Sequence, residues 1–148
     1  GCTIGQLMIP VKTLPNLGSQ VEVLISSEMT EGRSVTLLEI SPPGGGPPPH
    51  MHQNEDETFH VVEGEYEFLV DGAWVRGVAG DTFHTNRGSV HTFRNCGEST
   101  GRLLMFVVPG AFEHFLEEIS PLAIPDDIPK LVEIAGRYGI TFPPPPAG

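Results

Sequence analysis

The sequence predicts an all-β domain, an antiparallel sandwich or barrel, with two helices following the strands. Three observations carry that expectation. Short runs rich in β-branched and aromatic residues recur between clusters of glycine, proline and asparagine. Gly and Pro number 18 and 15 in 148 residues, which suits many strands joined by tight turns. Helical periodicity does not begin until residue 112.

Taken in order, the stretch to Gly18 mixes Pro10 and Pro15 with short apolar pieces and reads as an irregular or edge strand. Residues 21–25 and 33–41 read as strands. The run Pro42-Pro43-Gly44-Gly45-Gly46-Pro47-Pro48-Pro49 can be neither helix nor central strand, because proline donates no ladder hydrogen bond and glycine weakens both. It reads as a surface loop or as a stiff rim that delivers His50 to a pocket. Strands follow at 57–62 and 66–70 around a turn at 63–65, then at 73–78 after an Asp71-Gly72 hairpin signal. Residues 102–108 form a long apolar strand. Phe112, Phe115, Leu116 and Ile119 fall at helical spacing, as do Leu131, Ile134, Ala135 and Tyr138. Asp127 is placed to cap the second helix, with Pro129 in its first turn and Gly139 beyond its end. This helical extension, 111–139, is expected to pack outside the sheets, and the Pro-rich tail 143–148 to be extended or disordered.

The length suits one domain over residues 1–148, with a core of its own. A formal net charge of −11 argues against nucleic acid, whose phosphates demand a basic face, and mildly against polyanionic substrates. No apolar run approaches the ~20 residues needed to span a bilayer, and no signal peptide opens the chain. A soluble cytoplasmic protein with reduced Cys2 and Cys96 is the expectation, Cys96 serving as a small packing residue.

Chemistry concentrates in two segments, Gly44-x5-His50-x-His52-x4-Glu57-x6-Gly64 and Gly80-x7-Gly88-x2-His91-x3-Asn95. His50 and His52 are two apart and share a strand face. Glu57 is an odd step from His52, so a turn or bulge must intervene over residues 53–56. Phe59 shares the face of Glu57, and Phe93 and Asn95 share that of His91. Imidazole and carboxylate together suit one divalent transition metal, whether Fe, Ni, Mn, Co, Cu or Zn, and these four donors leave a coordination position open. Gly64, Gly80 and Gly88 are explained by turns alone.

These segments, motif 1 over 44–64 (GGGPPPHMHQNEDETFHVVEG) and motif 2 over 80–95 (GDTFHTNRGSVHTFRN), resemble the paired motifs of the cupin superfamily, G-x5-H-x-H-x3,4-E-x6-G and G-x5-P-x-G-x2-H-x3-N. One position departs: Asn86 stands where the second motif has proline, in a turn and not among the ligands. The resemblance implies a double-stranded β-helix, or jelly-roll barrel, with the metal inside on His50, His52, Glu57 and His91. It also implies a homodimer. Within the family the chain looks like the quercetin-dioxygenase-like members, which are metal-dependent oxidoreductases acting on a small organic, aromatic substrate. In that reading Glu57 is both ligand and catalytic proton acceptor, and Phe59, Phe93 and Phe106 line the substrate pocket. A metal-dependent isomerase, lyase or decarboxylase on a small polar acid or sugar is the second reading, and a non-enzymatic binding module the third. The bland reading takes the rest. His60, His84 and His114 are packed or solvated, Arg87 and Arg94 pair with surface acids, and Tyr66, Phe68 and Trp74 fill packing positions.

Overall fold

Alternation of side chains defines most of the strands. In Val35–Ser41 the residues Val35, Leu37, Glu39 and Ser41 are buried and those between them are half-exposed. A computed structural model describes residues 9–143, so Cys2 and residues 144–148 of the expected tail lie outside the described residues. The strands are β1 (Lys12–Asn16), β2 (Ser19–Ile25), β3 (Val35–Ser41), β4 (His50–His52), β5 (Asp56–Glu63), β6 (Glu65–Val70), β7 (Ala73–Val78), β8 (Thr82–Thr85), β9 (Val90–Asn95), β10 (Gly101–Val108) and β11 (Ile140–Thr141). The helices are α1 (Phe112–Ile119) and α2 (Ile128–Arg137).

Two antiparallel sheets, in the orders β1-β2-β3-β10-β5-β8 and β11-β4-β9-β6-β7, face each other as a double-stranded β-helix. β1 is the edge strand expected of the N-terminal stretch, and an edge is where Pro15 is tolerated. Asp71 and Gly72 both take positive φ in the β6–β7 turn, as a two-residue hairpin of matching twist requires. β11 has only two residues, too few for any pattern to show, and it extends the second sheet by pairing with β4.

The helices lie outside the two sheets, and their apolar stripes complete the core. Phe112, Phe115, Leu116, Ile119, Leu131, Ile134 and Ala135 are all buried with Leu37, Phe59, Phe68, Phe93 and Leu103 of the strands. Glu113, off the stripe, is buried too: it accepts the Ser27 N–H at 2.6 Å and pairs with Lys12 at 2.6 Å. Asp127 occupies the N-cap position of α2 but makes no cap. Its carboxylate turns back to accept the Ala123 N–H at 2.8 Å.

The Pro/Gly run is docked, and so is not a plain surface loop. Gly44 donates to the Asn95 carbonyl, the Asn95 N–H donates to Gly45, and the Thr92 hydroxyl donates to the Pro47 carbonyl at 2.6 Å. Gly46 approaches β9 so closely that a Cβ there would sit 2.0 Å from the Phe93 carbonyl oxygen. Trp74 corrects another expectation: it is 49% exposed on the edge strand β7, with the Arg94 guanidinium 5.2 Å above its ring, and it packs no core.

Gly46→Ala forces that contact apart and is expected to destabilise the fold by about 1–3 kcal/mol. Urea unfolding followed by Trp74 fluorescence measures it. An unchanged midpoint would show that the loop is not held against β9.

Candidate metal centre

The odd spacing between His52 and Glu57 has a simple cause. β4 belongs to one sheet and β5 to the other, so the chain crosses the barrel between them. Gln53 and Asn54 bend at the crossing, where the Gln53 N–H donates to the Gly139 carbonyl and the Gly88 N–H donates to the His52 carbonyl. After the crossing, the inward face of β5 begins at Glu57. Across the second sheet His50 sits opposite His91. Three strands from two sheets thus bring His50, His52, Glu57 and His91 together. All four are buried, with one donor atom from each lying within 4.8 Å of the others. The His91 Nε2 is 2.7 Å and the His52 Nε2 3.5 Å from the Glu57 Oε2.

The other ring nitrogens show what the cluster is suited to hold. His50 Nδ1 lies 2.9 Å from the Pro48 carbonyl oxygen and His91 Nδ1 lies 3.1 Å from that of Ser89. A carbonyl can only accept, so each Nδ1 is a donor and each Nε2 is turned toward the cluster, the His91 Nε2 facing the Glu57 carboxylate where an ion would come between them. His52 Nδ1 lies 3.3 Å from the Glu55 carboxylate, itself buried. This arrangement of outer acceptors orients imidazoles for a metal and raises their basicity. Burial holds His50 down at about 3, helped by His91 and His52 nearby, so it stays a neutral donor near neutrality. Burial raises the Glu57 carboxyl, but His52 and His91 outweigh it and the net shift is downward, favouring the carboxylate. For His52 burial acts downward while Glu57 and Glu55 act upward and prevail. Imidazole nitrogens and one carboxylate, converging and buried, fit a divalent transition ion. Glu55 was not singled out from sequence; its place three residues after His52 in the bend is the only signal.

The cluster opens on a narrow cavity of about 50 Å³. Phe59 and Phe93 line it, as expected. Phe106 does not. It is 46% exposed, because β10 turns Leu103, Met105 and Val107 inward and leaves Phe106 on the outer face beside Thr36 and Thr58. Met105 takes the lining position. Sequence reasoning also missed the helical and C-terminal part of the wall: the Phe112 ring lies 5.2 Å from His52 and the Phe142 ring 6.3 Å from His50. The stripe on α1 was the available signal, read as packing alone. His60 bonds Thr82, His84 bonds Thr58 and Asn86, and His114 is exposed, all away from the cluster. Arg87 pairs with Asp56 at 2.9 Å and Arg94 with Glu67 at 2.5 Å, both at the surface.

The cupin domain model matches residues 37–107, a span that contains all four converging residues. The oxalate-binding protein of Thermotoga maritima is 31% identical over 86 residues, covering 57% of this chain and 71% of that protein. This chain belongs to the cupin superfamily. Quercetin 2,3-dioxygenase of Bacillus subtilis is 27% identical to this cupin over 104 residues, 70% of the chain. The chain spans only 31% of that dioxygenase's length. Among solved structures, a predicted oxalate decarboxylase from Thermotoga maritima superposes with a TM-score of 0.62 at 24% identity, covering 70% of this chain and 94% of that one, a likeness of fold. No helix among the described residues is long and apolar enough to cross a membrane.

Equilibrated with a single divalent transition ion and then desalted, the protein is expected to retain about one equivalent by elemental analysis. His50→Ala and His91→Ala should retain almost none. Glu55→Gln, which disturbs only the support of His52, should weaken affinity by about 10- to 100-fold. Full retention by the histidine variants would place the ion elsewhere.

Proposed function

We propose that this cupin is a metal-dependent oxidoreductase of the dioxygenase type, acting on a small, planar, aromatic molecule with a hydroxyl group. The observation that carries this reading is the contrast within one cavity. Three imidazoles and a carboxylate converge at one wall, and beyond them Leu37, Phe59, Phe93, Met105 and Phe112 make the lining chiefly apolar. No lysine or arginine is among the lining residues. A cavity whose described lining holds no lysine or arginine is a poor host for a phosphate or a free sugar acid and a good one for an aromatic ring. The likeness to a quercetin dioxygenase supports the same direction.

His50, His52, Glu57 and His91 would hold the ion, which when bound supplies a Lewis acid for a substrate oxygen and a meeting point for O₂. The residues of the chain do the rest. Glu57, kept ionised by the histidines beside it, is the group able to take the proton of a substrate hydroxyl at its Oε2. Phe59 and Phe93, their rings 5.7 Å apart, would give the substrate ring one apolar wall, and Phe112 and Phe142 would exclude water near His52 and His50.

A decarboxylase or binding protein for a small dicarboxylic acid is the second reading, favoured by the oxalate-binding relative. It asks the ion and the histidines to neutralise the ligand's charge, since no lysine or arginine lines the cavity among the described residues. We further propose a cytoplasmic homodimer. The reducing cytoplasm suits a chain with two cysteines, and Phe106, 46% exposed on the outer face of the first sheet, is an apolar group that a second copy would cover.

Metal-loaded protein is expected to consume oxygen with 3-hydroxyflavone-type substrates and to leave oxalate unchanged. Glu57→Gln should lower the turnover by about 100-fold or more, on the scale of a lost general base. Oxygen uptake absent across flavonols, diketones and thiols, with oxalate consumed, would reverse the order of the two readings.

A further inference from the structure

A second buried polar group faces the same cavity and has no part in the metal cluster. Glu39 is 1% exposed, in the middle of the barrel strand β3, and lines the cavity together with Asn16. Its Oε1 accepts from Asn16 Nδ2 at 3.0 Å and its Oε2 from the Ser41 hydroxyl at 3.0 Å. Behind it the Tyr66 hydroxyl donates to Ser41 Oγ at 3.1 Å, and Asn95 Nδ2 donates to the Ser41 carbonyl at 3.0 Å. The carboxyl is therefore fixed in place by neighbours and still has acceptor capacity, because each carboxylate oxygen has room for about two hydrogen bonds. A buried carboxyl in an apolar wall is an expensive feature to keep for packing alone.

Strand register puts this group at a defined level. Glu57 is aligned with Val107 and Val35; Phe59 with Met105 and Leu37; Val61 with Leu103 and Glu39. Glu39 thus lies four residues beyond the Glu57 level, roughly 13 Å along the strands at about 3.3 Å per residue. On the facing sheet His91 meets Glu57, the Phe93 ring lies 5.7 Å from that of Phe59, and Asn95 donates to the carbonyl of Ser41, two residues past Glu39. The cavity is layered: a polar tier of histidines and Glu57, an apolar tier of Leu37, Phe59, Met105 and Phe93, and a second polar tier built on Glu39.

We propose that Glu39 is a substrate-recognition residue, which selects planar molecules bearing a metal-binding oxygen at one end and a hydroxyl at the other. This rests on the aromatic-substrate reading above and adds the second anchor. A hydroxyl is the matching partner because it can both donate and accept. Burial raises the Glu39 carboxyl to about 7 against the opposing hydrogen bonds of Ser41 and Asn16, so both of its protonation states are present near neutrality. A distal carboxylate would meet a like charge, and a bare ring would leave Glu39 with unmet hydrogen-bonding capacity.

The test is binding to the metal-loaded protein without oxygen, read by calorimetry, with 3-hydroxyflavone, 3,7-dihydroxyflavone and 3,4′-dihydroxyflavone as probes. At least one dihydroxy compound is expected to bind about 10- to 100-fold more tightly than 3-hydroxyflavone, the range for a hydrogen bond to an ionisable group. Glu39→Leu should reduce that preference to within about twofold, with metal content little changed. Should Glu39→Leu not fold, Glu39→Gln keeps the shape and is expected to reduce the preference by about fivefold or more. A merely structural Glu39 would alter the melting temperature and leave the preference intact, and that result overturns the proposal. Equal binding of the three probes, or binding of none, overturns it as well. Oxygen uptake is scored separately. Glu39-dependent preference without uptake sinks the dioxygenase reading alone, and uptake without preference sinks only the role of Glu39.

Discussion

The whole arrangement depends on four polar side chains sharing one point inside an apolar barrel. Isolated there, an imidazole or a carboxylate costs several kcal/mol of lost hydration. Together, each supplies what the others lack. Glu57 sits 2.7 Å from His91 and 3.5 Å from His52, and carbonyl or carboxylate acceptors hold the far nitrogens of all three rings. Removing any member leaves the rest uncompensated, so the cluster is a constraint on the fold as well as a site within it.

That constraint explains the path of the chain. The donors come from both sheets, and the chain must cross from β4 to β5 within a few residues to deliver them. The crossing is fastened where His52 and Gln53 bond to the turns at Gly88 and Gly139. The proline and glycine run before His50 is fastened in its turn to β9, through Thr92, Asn95 and the close approach of Gly46. Rigid delivery of His50 follows from backbone contacts, with no side-chain packing needed from the loop itself.

Much of this was legible in the chain. His-x-His on a short strand, a carboxylate at an odd step and a histidine behind a second glycine turn sufficed for the cluster, because metal ligation demands particular residue types at particular places. Strand parity puts Phe59 and Phe93 on the inward faces of Glu57 and His91, and both side chains line the cavity. It could not place Phe106, whose strand contains no ligand to set the inward face; the observed face belongs to Met105. β11 was too short to carry a pattern, and Asp127 shows that a favourable capping residue can be recruited by a nearby N–H instead. Glu39 was hidden for a related reason: in Val35–Ser41 it holds an inward position that pattern reading reserves for apolar residues. Only the tertiary neighbours Asn16, Ser41 and Tyr66 give it a context.

The central claim is that these three imidazoles and this carboxylate are the ligands of one transition ion. X-ray absorption spectroscopy of the protein loaded with one equivalent of cobalt or nickel addresses it directly. The account predicts a first shell of nitrogen and oxygen only, with outer-shell scattering that requires about three imidazole rings per metal. A shell fitted without imidazole scattering, or with sulfur, would contradict it.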